Sequence, residues 1–231
     1  MMPRTSHNPI IVALDVESAT AARALVARIG PRAGFYKVGL ELYTAAGMET
    51  VKHLLGEGKQ IFLDLKMYDI PETVARAVDV VALSGVRFLT VHAVSSVMRA
   101  AVAARAGSRL QILAVTVLTS FAAEDMDDLG YSGTVASLVE RRARKAVEVG
   151  VDGIVASPLE AAAVRRIVGP NTVIVTPGVR SAGVDAGDQK RVATPAQAIR
   201  DGADYLVIGR QITRAADPAA EVDRILMELA G

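Results

Sequence analysis

The chain has no cysteine. That excludes disulfide bridges, thiolate nucleophiles and cysteine-ligated metals together. Tryptophan is also missing and aromatic residues make up only 4% of the chain, so alanine, valine, leucine and isoleucine are expected to fill the core. Neither sign of charge is in excess: 26 basic residues face 25 acidic ones, a formal net charge of +1. A nucleic-acid binder usually carries a basic stripe, and none is visible here. No apolar run approaches the ~20 residues that a membrane-spanning helix needs. Residues 1–9 are polar and lack the hydrophobic centre of a secretory signal. Together these absences predict a soluble, cytoplasmic protein with neither nucleic acid nor membrane as a partner.

What the chain does have is apolar sequence in short, regular runs. Of its 231 residues, 51% are hydrophobic, enough for one large core. Such runs predict strands at residues 10–15, 35–39, 61–66, 86–92, 110–118, 153–156, 172–176 and 205–208. Helical stretches follow at 19–29, with Ser18 as N-cap, and at 41–55, 71–83, 95–105, 135–149, 158–168, 195–201 and 218–229. The first five strands begin about 25 residues apart, the spacing of βα units in a parallel sheet. Eight such units in this length predict an α/β protein of the (β/α)8 TIM-barrel type, one domain over residues 1–231. A doubly wound sheet would normally have fewer strands, and no G-x-G-x-x-G follows the first one. Two long connections, 119–133 and 177–191, follow strands five and seven. Both would lie at the C-terminal face, where barrel enzymes keep their chemistry.

Charged residues recur at strand ends. Side chains alternate along a strand, so Phe62, Asp64 and Lys66 share one face while Ile61, Leu63 and Leu65 share the other. In the same way Asp15 falls with Ile11 and Ala13, and Lys37 with Phe35 and Gly39. Desolvating an ion costs several kcal/mol unless it is paired, so these positions need a reason. One reason is a structural salt bridge. The other is a catalytic array in which a lysine works between carboxylates. Recurrence in three successive strands favours the array.

The last two strands carry a different signal. Strand seven runs into Pro177-Gly178-Val179-Arg180 and strand eight into Gly209-Arg210. In barrels of this type the loops after these two strands form the usual phosphate site, where backbone N–H groups and a cation meet the anion. Glycine permits the close approach and arginine offers a bidentate fork. His92, ending strand four, reads equally well as a hydrogen-bonded structural residue or a functional one. Asp15, Asp64, Asp69 and His92 could form a metal site, but Lys37 and Lys66 would put two cations among the ligands. No metal site is therefore expected.

The segment Asp64-Leu65-Lys66-Met67-Tyr68-Asp69-Ile70-Pro71-Glu72-Thr73 closely resembles the D-L-K-x-x-D-I-P-x-T signature of the orotidine 5′-phosphate decarboxylase family. The resemblance runs along nearly the whole chain. It includes Ala13-Leu14-Asp15, Tyr36-Lys37-Val38-Gly39, residues 115–120, residues 176–180, Gly187-Asp188-Gln189-Lys190-Arg191 and Val207-Ile208-Gly209-Arg210. Tyr68 departs from it where many members have His, and Glu72 where many have Asn.

The resemblance implies a barrel that converts orotidine 5′-monophosphate to uridine 5′-monophosphate and CO2, without a cofactor, in pyrimidine nucleotide synthesis. It implies Lys66 as proton donor to C6 of the ring and Asp64 beside the departing carboxylate. Asp69 would reach the partner's site in a homodimer. Lys37 and Asp15 would hold the ribose and order the array, Thr119 would contact the pyrimidine, and Gln189 would bridge ring and phosphate. Arg180, Gly209 and Arg210 would bind the phosphate region, and Ile70 and Thr73 of the signature would belong to the substrate site.

Two alternatives differ in class. Sugar-phosphate decarboxylases and aldolases of the same barrel group resemble this chain around D-x-K-x-x-D, but use Mg²⁺ and carry an acid where this chain has Lys37. A non-catalytic barrel that binds a nucleotide phosphate would have no use for a carboxylate facing an anionic ligand.

Overall fold

Eight short strands, each too apolar to face water, pair in chain order and close on themselves. In the computed structural model, which describes residues 8–121, 123–183 and 193–230, they form a closed parallel barrel. The strands are β1 (Ile10–Ala13), β2 (Phe35–Gly39), β3 (Gln60–Met67), β4 (Phe88–His92), β5 (Gln111–Val115), β6 (Gly153–Val155), β7 (Val173–Pro177) and β8 (Tyr205–Ile208). Closure runs through β1 and β8, where Ile10, Ile11 and Val12 pair with Leu206, Val207 and Ile208. This brings the first and last strands together, although their paired residues are 196 positions apart.

The connecting helices are α1 (Ala19–Ile29), α2 (Leu40–Gly56), α3 (Pro71–Ala82), α4 (Ser95–Ala104), α5 (Ala123–Asp128), α6 (Val135–Val149), α7 (Ala161–Val168), α8 (Pro195–Arg200), α9 (Arg210–Thr213) and α10 (Pro218–Ala230). Ser18 caps α1 as expected, its hydroxyl accepting from the Ala21 N–H at 3.1 Å. Strand ends differ from the sequence reading, β1 stopping at Ala13, β4 starting at Phe88 and β5 stopping at Val115, and so do three other details. The polar connection 119–133 contains α5, a short acidic helix without an apolar stripe to announce it. The helix expected over 41–55 breaks at Gly47, whose φ of +62° and ψ of −165° no helix contains. The four-residue α9 directly follows Gly209.

Two hydrophobic layers result. The outer one, between barrel and helices, contains Val12, Tyr36, Val38, Leu63, Leu89 and Ile174 with the inward faces of the helices, and it is largely aliphatic as expected. The barrel interior departs from that expectation. Phe35, Phe62, Phe88 and Tyr205 pack there edge to face or tilted, with ring centroids 5.2 to 6.0 Å apart. Three of the four phenylalanines of the chain are thus spent on one interior layer. Each such contact adds roughly 0.5–1.5 kcal/mol beyond area burial. The Arg87 guanidinium lies 5.0–5.3 Å from the centroids of Phe35, Phe88 and Tyr205 and donates to the Tyr205 hydroxyl at 2.6 Å. This aromatic floor fills the N-terminal end and leaves the C-terminal end open. Among the described residues no helix is long and apolar enough to cross a membrane.

Candidate active site

The open end of the barrel is a cavity of about 530 Å³, and it collects the charged strand-end residues. Asp15, Lys37, Asp64, Lys66, Thr119, Arg180, Gly209 and Arg210 all line it. Among the described residues, five basic side chains (Lys37, Lys66, Arg180, Arg210, Arg214) face three carboxylates (Asp15, Glu41, Asp64), an excess of two positive charges in a protein whose net charge is only +1. A concave site with that surplus concentrates anionic ligands.

One side of the cavity, built by β1 to β3, is a chain of ion pairs. Lys37 Nζ lies 2.8 Å from Asp15 Oδ1 and 3.8 Å from Asp64 Oδ2, and Lys66 Nζ lies 2.8 Å from the same Asp64 oxygen. The Lys37 and Asp64 side chains are only 10% and 12% exposed, so neither charge would survive there alone. Burial would raise the Asp64 carboxyl, but the Lys37 and Lys66 ammonium groups, with hydrogen bonds from Lys66 and Thr90, outweigh it and hold the carboxyl below its usual range. Asp64 is therefore an anion in the folded protein at neutral pH. Gly39 keeps room for this array: a Cβ there would stand 2.8 Å from Lys37 Nζ and 3.2 Å from Asp15 Oδ1.

Lys66 reaches the cavity by an irregularity that pleat alternation does not describe. β3 pairs Leu63 with Leu89 but Met67 with Val91, so four steps of one strand oppose two of the other. Within this bulge Lys66 has φ +48°, the only positive value at a non-glycine among the described residues. Left-handed backbone costs a residue with a Cβ roughly 1–2 kcal/mol. The surrounding structure must hold that strain, and strain of this kind clusters at functional sites. Part of the support comes from Thr90, whose hydroxyl accepts from the Lys66 N–H and donates to Asp64 Oδ1, both at 2.9 Å.

The adjoining side, at the ends of β7 and β8, carries the arginines. Arg180 is 9% exposed and its N–H donates to the Ala193 carbonyl, so residues 179–180 and 193 are fastened together at the foot of the long connection. Gln211 ties this foot to α9. Its side chain accepts from the Ser181 N–H and donates to the Ser181 hydroxyl and to Glu221. Arg180 and Arg210 are thereby held through their chain neighbours. Closure of the barrel sets this cationic side beside the ion-pair array, with a Gly209 Cβ position 4.0 Å from Asp15 Oδ2.

Gln189 falls outside the described residues. Asp69, Ile70 and Thr73 do not line the cavity of their own chain. Asp69 is exposed on the turn after β3 and accepts from the Ile70 N–H at 2.6 Å. His92 packs its ring 5.6 Å from that of Tyr68, and burial, Arg142 and Lys66 push its pKa down, which leaves a neutral imidazole at pH 7. Among the described residues no cluster of three or more His, Asp or Glu is placed to hold a metal. Sequence reasoning missed Thr90 and Gln211. Nothing in their local sequence separates either from an ordinary strand threonine or helix glutamine.

The chain matches the family described as "Orotidine 5′-phosphate decarboxylase / HUMPS family" over residues 8–225. It is 53% identical over 221 residues to an orotidine 5′-phosphate decarboxylase of Rhodopseudomonas palustris, covering 96% of this chain and 94% of that one. A protein of the same name from Methylobacterium radiotolerans is also 53% identical, with 96% of each chain covered. The crystal structure of orotidine 5′-phosphate decarboxylase from Lactobacillus acidophilus superposes with a TM-score of 0.86 at 35% identity, over 97% of this chain and all of that one. With a closed barrel, a Lys–Asp–Lys array at its open end and a cationic rim at β7 and β8, the chain belongs to the orotidine 5′-phosphate decarboxylase family.

Proposed function

We propose that this protein is an orotidine 5′-phosphate decarboxylase, a carboxy-lyase converting orotidine 5′-monophosphate to uridine 5′-monophosphate and CO2. The observation that carries the reading is the Lys66 ammonium, 2.8 Å from the buried Asp64 carboxylate at one side of a cavity whose other side is cationic. The names of relatives more than half identical over nearly the whole chain support it.

The chemistry follows from where charge moves. Breaking the bond from C6 to the carboxylate leaves its electron pair on C6, with no carbonyl placed to delocalise it. An ammonium fixed at that carbon stabilises the developing charge and then donates an N–H proton to it. Lys66 has that role in our reading. Asp64, an anion beside the substrate carboxylate, repels it, and the repulsion ends as neutral CO2 departs. Lys37, paired with Asp15, holds Asp64 ionised and orders the ribose. Thr119 contacts the pyrimidine, and Arg180, Gly209 and Arg210 take the phosphate, with Gln189 bridging phosphate and ring. The reaction needs no cofactor, because an ammonium supplies both the charge and the proton.

Purified protein without added metal should remove orotidylate absorbance, and chelator should not slow it. Activity lost to chelator and restored by Mg²⁺ would instead favour a sugar-phosphate decarboxylase or aldolase of this barrel group. Lys37 argues against that outcome, because its ammonium sits between the two carboxylates a cation would need.

Arg210→Ala should raise KM for the nucleotide and lower kcat, a combined loss of about 10²-fold in kcat/KM, because phosphate binding energy is used at the reacting carbon. Activity on the phosphate-free nucleoside should hardly change. Equal losses on both substrates would remove Arg210 from the phosphate site.

Oligomeric state and compartment belong to the same reading. Asp69 stands outside its own cavity, flanked by Tyr68 and Ile70, whose side chains are 68% and 65% exposed. Large apolar side chains so open to water are suited to burial against another copy. We read the protein as a homodimer in which Asp69, with Ile70 and Thr73, completes the partner's site, working in the cytoplasm where pyrimidine nucleotides are made.

A further inference from the structure

Thr90 lies in the middle of β4 and is wholly buried. It shares the interior face with Phe88, one layer above the aromatic floor, and does not itself line the cavity. A β-branched side chain is stiff at χ1, so its oxygen is fixed in space. The hydroxyl has one proton to donate, and Asp64 Oδ1 receives it at 2.9 Å. With that oxygen anchored from β4, Asp64 Oδ2 is the one turned to Lys66 Nζ and Lys37 Nζ. The same hydroxyl accepts from the Lys66 N–H, which the slipped register between β3 and β4 has removed from the regular ladder. One oxygen therefore sets both ends of the Lys66–Asp64 pair: the carboxylate by its side chain, the lysine by its strained backbone. Thr116, equally buried on the neighbouring strand end, donates only to the Val155 carbonyl at 3.1 Å and fills a purely structural place.

We infer that Thr90 is a positioning residue of the decarboxylation site, its hydroxyl holding Asp64 and the Lys66 bulge in the arrangement that presents the Lys66 ammonium to the reacting carbon. The inference rests on the orotidylate reading above and adds a residue that acts only through others.

The test compares Thr90→Val, which keeps the shape and loses the hydroxyl, with Thr90→Ser, which keeps it, and with Thr116→Val as a buried control. Thr90→Val should lower kcat about 10²-fold while KM and the affinity for uridine 5′-monophosphate stay within about threefold of wild type. Thr90→Ser should recover most of the lost kcat, and Thr116→Val should keep it within about threefold. A Thr90→Val enzyme with wild-type kcat, a Thr90→Ser enzyme as slow as Thr90→Val, or an equal loss in Thr116→Val overturns the inference. Parallel loss of uridylate binding also overturns it, since that marks general disorder of the cavity. If the wild type does not decarboxylate orotidylate, it is the reading of the reaction that fails. The positioning claim then stands or falls on a crystal structure of Thr90→Val: Lys66 should leave its positive-φ conformation and its ion pair with Asp64, and an unmoved Lys66 overturns it.

Discussion

Replacing Lys66 by alanine should reduce kcat by at least about 10⁴-fold, because in the proposed reaction one side chain supplies both the proton and the charge that stabilises the carbanion. Decline of orotidylate absorbance under saturating substrate measures this. The variant should remain folded. Lys66 is about a third exposed, so its truncation opens no sealed cavity in the core. Asp64 keeps two of its partners, the Lys37 ammonium and the Thr90 hydroxyl, and is not left as a bare buried charge. The φ of +48° is as strained for alanine as for lysine, so the backbone has no new reason to move. Binding of uridine 5′-monophosphate, which lacks the departing carboxylate and relies on the phosphate and ring contacts, should persist. A variant with turnover within about tenfold of wild type would remove Lys66 as proton donor. A variant that loses both turnover and uridylate binding would mean the array collapsed, and Lys66→Met, which preserves length without charge, would then decide the matter.

Mixing two inactive variants should restore activity. Lys66→Ala and Asp69→Ala homodimers are each expected to be nearly inactive, because every site in them lacks one of the two residues. In a two-fold dimer whose sites each draw Lys66 from one protomer and Asp69 from the other, a mixed dimer concentrates both defects in one site. Its second site is intact. Random exchange makes about half the dimers mixed, and half the sites in those are whole, so roughly a quarter of wild-type activity returns. Few outcomes are as discriminating, since recovery from nearly nothing has no source within a single chain. The motivation is geometric: Asp69 lies three residues beyond Lys66, on the turn into α3, outside its own cavity and exposed. Co-refolding the variants and assaying the mixture measures the effect. Activity unchanged after confirmed subunit exchange would place Asp69 in its own chain's chemistry and end the shared-site reading.

Much of this molecule was legible from periodicity alone. Apolar runs about 25 residues apart give buried parallel strands, and βα units of that length leave few architectures other than a closed barrel. Strand-end charges were equally legible, because a carboxylate or ammonium closing an apolar run has to face the open mouth or be neutralised. Asp15, Lys37, Asp64 and Lys66 come together in one cavity for that reason, and Arg180, Gly209 and Arg210 join them from the ends of the last two strands. For Lys37 and Asp64 the local sequence already set the face and the end of the barrel on which each would lie.

Tertiary structure decided what depends on neighbours distant in the chain. Phe35, Phe62, Phe88 and Tyr205 become one aromatic floor only when four strands from different parts of the sequence close around them. Asp64 alone reads as a buried carboxylate that should resist ionisation; the Lys37 ammonium from β2 and the Lys66 ammonium, with hydrogen bonds from Lys66 and from Thr90 of β4, reverse the sign of its pKa shift. The left-handed backbone of Lys66 is invisible in D-L-K, because it arises from a slip in register against β4, and register belongs to a pair of strands. Gln211 acquires its role in the same way, by reaching from α9 to Ser181 beyond the end of β7. Periodicity and burial are properties of a segment and can be read from it. Hydrogen bonds, ion pairs and strain that join segments exist only once the chain has brought them to within about 3 Å, the distance at which such bonds form.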